Sequence, residues 1–261
     1  MSYYTVKKIY PWLYSIFDPQ NVYCYLLVGS QKALLFDTVY GLAPLSDAIK
    51  EVTDKPVTVV LGHGHIDHVN GAYQFEEAWL HEDDFELCRE HSSQDYRVNI
   101  LSRLEDDKLP RGFNRDSYIQ GGTGNLKKMA VGQVFDLGGL TVEAVGMEGH
   151  TAGSIGLLVR EHKVLLDSDA ANPHVWMYLA ESLPISRYTA MLERTLELDF
   201  DTFFIGHSDT PLPKAEFKKY IKAAKNASVD KAKPYEAIPG LKGLLYHEDG
   251  VDIIFSERTL C

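Results

Sequence analysis

Two periodicities alternate along the chain. VYCYLLVG (residues 22–29) and KALLFDT (32–38) are β-rich runs separated by a Gly-Ser turn, the signal of a hairpin inside a strand-rich region covering residues 9–38. Residues 43–53 set Leu45, Ile49 and Val52 at helical spacing and predict a short amphipathic helix. The stretch from Val57 to Leu61 is apolar except for Thr58, as in a strand covered on both faces, and it stops abruptly at Gly62-His63-Gly64-His65. Residues 69–91 read mainly as helix. Residues 92–128 lose all periodicity, are polar and carry Pro110, Gly112, Gly121, Gly122 and Gly124. They predict an inserted lid or helical excursion, with Phe113 and Tyr118 placed to cap a substrate.

Strand patterns return at QVFDLG (133–138), LTVEAVGM (140–147), SIGLLVR (154–160) and KVLLDSD (163–169). A helix is expected near 186–197, a short strand at TFFIGH (202–207) and a Lys-rich helix at 214–228, whose lysines read as a solvated face. The tail GLLYHEDGVDIIFSE predicts a hairpin turning at Asp249-Gly250. Strands leading to an apolar run that closes near an aspartate occur at 22–38 and again at 140–169. Two such halves, each a sheet covered by helices, would stack into a four-layer sandwich, and a single domain is expected over residues 1–261.

Composition narrows the partners. With 26 Lys+Arg against 37 Asp+Glu the net charge is -11, a surface that repels phosphate backbones and anionic membranes. The expected partner is a small-molecule substrate, with no nucleic acid and no membrane; a homo-oligomer is left open. Cys24, Cys88 and Cys261 are too few and too scattered for a disulfide framework or a Cys-x-x-Cys metal site. The first residues lack the apolar core of a signal peptide, so a reduced, cytoplasmic setting is expected.

The chemistry concentrates in His63-Gly64-His65-Ile66-Asp67-His68. Alternate residues of an extended segment point the same way, so His63 and His65 suit one metal ion, and a tight turn would carry Asp67 and His68 to a second position. Imidazole with carboxylate suits zinc first, with iron or manganese as alternatives. Further ligand-type residues stand at the ends of predicted strands: His150 in Gly-His-Thr-Ala-Gly-Ser, Asp169 in Leu-Leu-Asp-Ser-Asp-Ala and His207 in Phe-Phe-Ile-Gly-His-Ser. Asp167 is a nearby rival to Asp169. His81, His91, His162 and His247 sit in polar segments and read as surface residues. A surface loop is the default for His174, with the mouth of a pocket as the alternative. Core packing is the default for Trp176, Tyr178 and Tyr188, with a pocket wall as the alternative.

These segments resemble the metallo-β-lactamase superfamily of αβ/βα hydrolases. The resemblance runs from about residue 10 to 212 and is carried by LLFDT, HGHIDH, VFDLGGLTVEAVGMEGHTAGSIGLLV, VLLDSDA and FIGH. It implies an α/β fold of the four-layer sandwich type with the insert added, and two divalent metal ions. His63, His65 and His150 would hold the first ion, Asp67, His68 and His207 the second, and Asp169 would bridge them. Asp37 of LLFDT would support the ligand loop. The family usually carries glycine before the bridging aspartate; Ser168 stands there instead. Two divalent ions about 3.5–4 Å apart lower the pKa of a shared water towards 7. The expected reaction is therefore hydrolysis of a small-molecule ester, lactone or thioester by a metal-bridging hydroxide, with Asp67 orienting the nucleophile and moving its proton. A glyoxalase-II-like thioesterase and an iron-dependent oxidoreductase on the same fold are the alternatives.

Overall fold

The computed structural model describes residues 2–260. Seven strands form the first sheet: β1 (Thr5–Tyr10), β2 (Leu13–Phe17), β3 (Tyr23–Val28), β4 (Ala33–Phe36), β5 (Val57–Val60), β6 (Ala78–His81) and β7 (Leu126–Met129), side by side in sequence order. The second half supplies β8 (Val134–Asp136), β9 (Thr141–Gly146), β10 (Ile155–Val159), β11 (Val164–Leu166), β12 (His174–Met177), β13 (Thr202–Ile205) and β14 (Ser208–Pro213). All of these but β12 form a six-stranded sheet in the order β14-β13-β11-β10-β9-β8.

Side chains alternate across each strand, and the alternation sorts them into layers. Leu34, Phe36 and Val60 of the first sheet meet Leu157, Val159, Leu166 and Phe204 of the second in one core between the sheets. Leu26, Leu35 and Val59 point the other way, against Leu45, Ala48 and Ile49 of the helix Leu45–Lys50. On the far side, Leu165 and Phe203 pack with Met191 and Leu192 of the helix Ile185–Thr195 and with Phe217 and Ala223 of the helix Phe217–Asn226. The result is the αβ/βα sandwich expected from the sequence.

Three local expectations need correction. Residues 69–91 are not mainly helical: the strand β6 interrupts them before the helix Phe85–His91, because Ala78 and Leu80 are buried while Trp79 and His81 are not, a period of two. The tail is more than a hairpin. Strands β15 (Lys233–Ile238), β16 (Leu241–Glu248) and β17 (Val251–Phe255) join β12 in a third, four-stranded sheet, with β12 parallel to β17. His174, expected in a surface loop, therefore sits on a strand, and Trp176 sits beside it on the same strand. The insert is an ordered excursion containing helices Gln94–Arg103 and Arg115–Ile119. The Asp249-Gly250 turn is as expected, with both residues left-handed (φ 51° and 83°) between paired Glu248 and Val251. Cys24 and Cys88 are buried free thiols; Cys261 lies outside the described residues.

A candidate metal centre

The parallel strand pairs β4/β5 and β11/β13 point their C-terminal ends at one edge of the sandwich. Asp37 leaves β4, His63 follows β5, Asp169 follows β11, His207 follows β13 and His150 follows β9. This is where α/β folds gather their chemistry. The helix Ile66–Val69 is a single turn that swings Asp67 and His68 away from His63 and His65. Thr38 holds its end, donating both its backbone N–H (2.8 Å) and its hydroxyl (2.9 Å) to the carbonyl of His68.

His63, His65 and His150 bring three ring nitrogens together: His65 Nδ1 lies 3.0 Å from His63 Nε2 and 2.8 Å from His150 Nε2. The outer nitrogens fix the protons. His150 Nδ1 donates to the Trp176 carbonyl at 2.7 Å, and His65 Nε2 donates to the Glu181 carboxylate at 2.6 Å. His63 Nδ1 meets Ser168 Oγ at 3.2 Å, and that hydroxyl spends its only proton on Asp37 Oδ2 at 2.8 Å. A neutral imidazole has one N–H. All three inner nitrogens are thus bare lone pairs facing one another, an arrangement a cation satisfies and a hydrogen bond does not. Burial, reinforced by the neighbouring imidazoles His68 and His65, pushes His63 well below the ordinary histidine range; burial and His65 hold His150 at about 4.

The second cluster mixes carboxylates with imidazoles. His68 Nε2 lies 3.6 Å from Asp67 Oδ2 and 3.4 Å from Asp169 Oδ1, and His207 Nε2 lies 3.3 Å from Asp169 Oδ2 and 3.7 Å from Asp67 Oδ2. Both far nitrogens are again tied to acceptors: His68 Nδ1 to Asp37 Oδ2 at 3.0 Å, His207 Nδ1 to the Asn21 carbonyl at 3.3 Å. His68 Nε2 and Asp169 Oδ1 are buried with no hydrogen-bond partner. Such orphaned atoms are costly unless a cation meets them. Gly206 keeps the space open, since a Cβ there would lie 2.5 Å from Asp169 Oδ1 and 2.7 Å from the His68 ring. Burial opposes charge on His68 and His207, but Asp169 and Asp67 outweigh it; His68 rises well above its ordinary value and His207 to about 9. Asp169 in turn lies well below the carboxylate range: burial raises it, and His68 and His207 overcome that. Asp169 also groups with His63 and His68, so it faces both clusters. Its rival Asp167 points elsewhere, fully buried with neither oxygen bonded, and burial drives its carboxyl well upward.

Asp37 and Asp84 tie the donor loops together. Asp37, at φ 67°, takes the Gly62 N–H on Oδ1 at 2.6 Å while Oδ2 serves His68 and Ser168. Buried Asp84 accepts from Gly64 N–H and the Thr151 hydroxyl on Oδ2 and from Gly153 N–H on Oδ1, which joins the His63–His65 segment to the His150 loop.

A cavity of about 680 Å³ opens over the clusters, and Asp67, Asp169, His65, His150 and His207 line it. Its walls come from the helix Phe85–His91 (Leu87, His91), from the insert (Tyr96, Ile100, Arg103), from Asn172–Glu181 and from Ile238 and Leu241. His174 and Trp176 are in the wall. Tyr178 is not: past the end of β12 its ring tucks against Gly243 and Tyr235, and its hydroxyl is buried without a partner. Tyr188 is core, donating to the Ala170 carbonyl at 2.7 Å. Phe113 and Tyr118 line a separate hollow and do not cap this cavity; Tyr118 is buried against Arg97, which also donates to the Asn70 carbonyl beside the helix Ile66–Val69.

Two cavity residues escape the sequence reading. Glu181 stands in Leu-Ala-Glu-Ser with no spacing signal, yet grips His65; burial raises its carboxyl, but the hydrogen bond and charge of His65 hold it at about 2. His91, expected at the surface, stacks between His65 and Tyr96 at 5.0 and 4.3 Å between ring centres and accepts the Ile66 N–H on Nδ1. Burial and His65 hold it at about 4. His162 and His247 are exposed, and His81 is half-buried.

Fold and donor set together define a metal-dependent hydrolase of the αβ/βα sandwich class. Residues 17–207 match the family model described as the metallo-beta-lactamase superfamily, and the chain belongs to that superfamily. An acyl-coenzyme A thioesterase, MBLAC2, of Gallus gallus is 27% identical over 184 residues, covering 67% of this chain and 66% of that protein. The hydroxyacylglutathione hydrolase GloC of Haemophilus influenzae is 29% identical over 156 residues, 56% of this chain and 65% of that protein. The chain thus matches about two-thirds of the length of these relatives. The solved metallo-beta-lactamase of Pontibacter korlensis superposes with a TM-score of 0.60 at 16% identity, over 86% of this chain and all of that one, a likeness of fold. Among the described residues no helix is long and apolar enough to cross a membrane.

Proposed function

We propose that the protein is a binuclear zinc hydrolase of acyl thioesters. The observation that carries this reading is the pair of adjoining donor clusters with Asp169 facing both, at the floor of one cavity. His63, His65 and His150 would hold one ion, Asp67, His68 and His207 the other, with Asp169 shared; nitrogen and carboxylate donors suit zinc. When bound, such a pair lowers the pKa of a water towards neutrality and polarises the acyl oxygen. Asp67, 20% exposed and lining the cavity, orients that water and carries a proton towards the departing sulfur. Water's oxygen joins the acyl carbon, the C–S bond breaks, and the products are a carboxylate and a thiol.

The cavity supports an acyl group: Leu87, Ile100, Trp176, Leu179, Ile238 and Leu241 give it an apolar wall, and its size suits a drug-sized ligand. The two thioesterase relatives favour a thioester over a lactone or β-lactam. The test is metal analysis of protein purified without chelator, followed by a panel of acyl-coenzyme A, hydroxyacylglutathione, lactone, β-lactam and phosphodiester substrates. Two zinc ions with thioester turnover is the expected result. Preferential lactone turnover would replace the substrate class, and one iron with oxygen consumption would replace the reaction.

A further inference from the structure

Ser168 occupies a backbone conformation that favours glycine, with φ 55°, and it is buried. Nothing apolar is gained there, because the side chain is a hydroxymethyl group in a polar centre. Room has to be made for it: a Cβ on Gly62 would lie 2.7 Å from both Cβ and Oγ of Ser168. The hydroxyl lies 2.8 Å from Asp37 Oδ2, 3.2 Å from His63 Nδ1 and 3.4 Å from His68 Nδ1. Among the described residues, His63 Nδ1 has no other hydrogen-bond partner, and His63 is fully buried.

We propose that Ser168 is a positioning residue that extends the hold of one carboxylate, Asp37, from the second cluster to the first, by fixing His63 with its proton on Nδ1 and its lone pair on Nε2. The inference rests on the reading that the clusters hold metal. The direction follows from counting protons. An ionised Asp37 only accepts, so the short contact to Oδ2 takes the single hydroxyl proton of Ser168. The oxygen of Ser168 is then left as an acceptor, and His63 must donate Nδ1–H to it. His68 donates its own Nδ1–H to the same Asp37 oxygen. One carboxylate thereby aims an imidazole of each cluster, directly for His68 and through a hydroxyl for His63. Outer partners of this kind set ring orientation and ligand basicity. Replacement of Ser168 by glycine relieves the backbone and removes the aim; replacement by alanine keeps the strained backbone and also removes the aim.

The experiment compares wild type, Ser168→Gly and Ser168→Ala. Zinc affinity is read by chelator competition, and metal-free stability by thermal melting. Both variants are expected to bind zinc at the first cluster roughly 10- to 100-fold more weakly, while the metal-free glycine variant melts no lower than the alanine variant. Wild-type affinity in Ser168→Gly would overturn the proposal, since the hydroxyl would then be dispensable. Should neither variant fold, the imidazole nitrogen NMR spectrum of metal-free wild type decides. His63 with a slowly exchanging Nδ1 proton supports the proposal, and the Nε2–H tautomer overturns it. A wild-type protein that takes up no zinc would instead sink the metal-centre reading itself.

Discussion

The two donor clusters lie side by side yet prepare for a cation in opposite ways. The first is three buried imidazoles, two of them pushed down the pH scale, with every outer nitrogen tied to an acceptor. The lone pairs of His63 and His150 are bare at neutral pH. The second is built on Asp67 and Asp169, which hold protons on His68 and His207 when no cation is present. The contrast comes from environment. Desolvation favours the neutral form, whereas adjacent carboxylates favour the charged one. One loop of six residues therefore feeds a cluster that is ready for a metal and a cluster that must first release protons.

The sharpest way to break this comparison is at the residue both clusters share. If the proposed pair of ions is correct, Asp169→Ala is expected to lower turnover by about 10³-fold or more, because the polarisation the two ions would supply is lost, with metal content falling in parallel. Metal analysis beside kinetics checks it. Asp67→Asn is expected to lower kcat by roughly 10²-fold, a larger effect than its loss of metal; an unchanged kcat would remove the proton role from Asp67.

The outer partners give the next effect. Loss of Glu181, whose carboxylate holds His65 of the first cluster, should weaken binding at that cluster by about 10- to 100-fold in Glu181→Ala. Loss of Asp37 should weaken both ions by amounts of the same order in Asp37→Ala. Equilibrium zinc titrations of the two variants separate these patterns. Acidity gives a further contrast. His207 sits at about 9, so zinc at the second cluster displaces a proton throughout the neutral range. Its affinity should rise about tenfold per pH unit for each proton released, levelling as pH passes the pKa. First-cluster affinity should depend on pH less steeply through the neutral range, because burial keeps His63 well below the ordinary histidine range and His150 at about 4.

The smallest effect is on stability. Glu181 titrates at about 2 in the fold against an ordinary 4.5, so its pairing stabilises the metal-free fold above pH 4.5 and is lost as pH falls towards 2. The side chain is 24% exposed, and solvent screening holds the effect to about 1 kcal/mol or less. Thermal melts of metal-free wild type and Glu181→Gln should therefore converge as pH falls from 6 to 3.

Much of this centre is legible in the sequence, for a physical reason. Strand-end positions are set by local apolar runs, so His63, His150, Asp169 and His207 announce themselves by what precedes them, and the six-residue motif needs no distant information. The layers are legible on the same ground, since Leu34, Leu35 and Phe36 sort themselves by period two. What is not legible depends on tertiary contact. Glu181 and His91 carry no spacing signal; one meets His65 across 116 positions. The strand β6 is only four residues long inside a helical neighbourhood, so its period of two is too short to stand out, and the parallel pairing with β5 and β7 that supports it is a tertiary contact. The third sheet arises because β12 finds β17 far along the chain, and that pairing brings His174 and Trp176 into the cavity wall while Tyr178 passes behind it. Ser168 is visible as an unusual residue, but its hydroxyl acquires meaning only once Asp37 and His63 are seen on either side of it.

The most direct measurement is a zinc titration of metal-free protein at pH 7 and pH 9, counting bound equivalents and following thioester hydrolysis at each step. Two equivalents are predicted, the first bound alike at both pH values and the second tighter at the higher pH, with hydrolysis tracking occupancy. A single equivalent, or hydrolysis that survives complete chelation, would contradict the account.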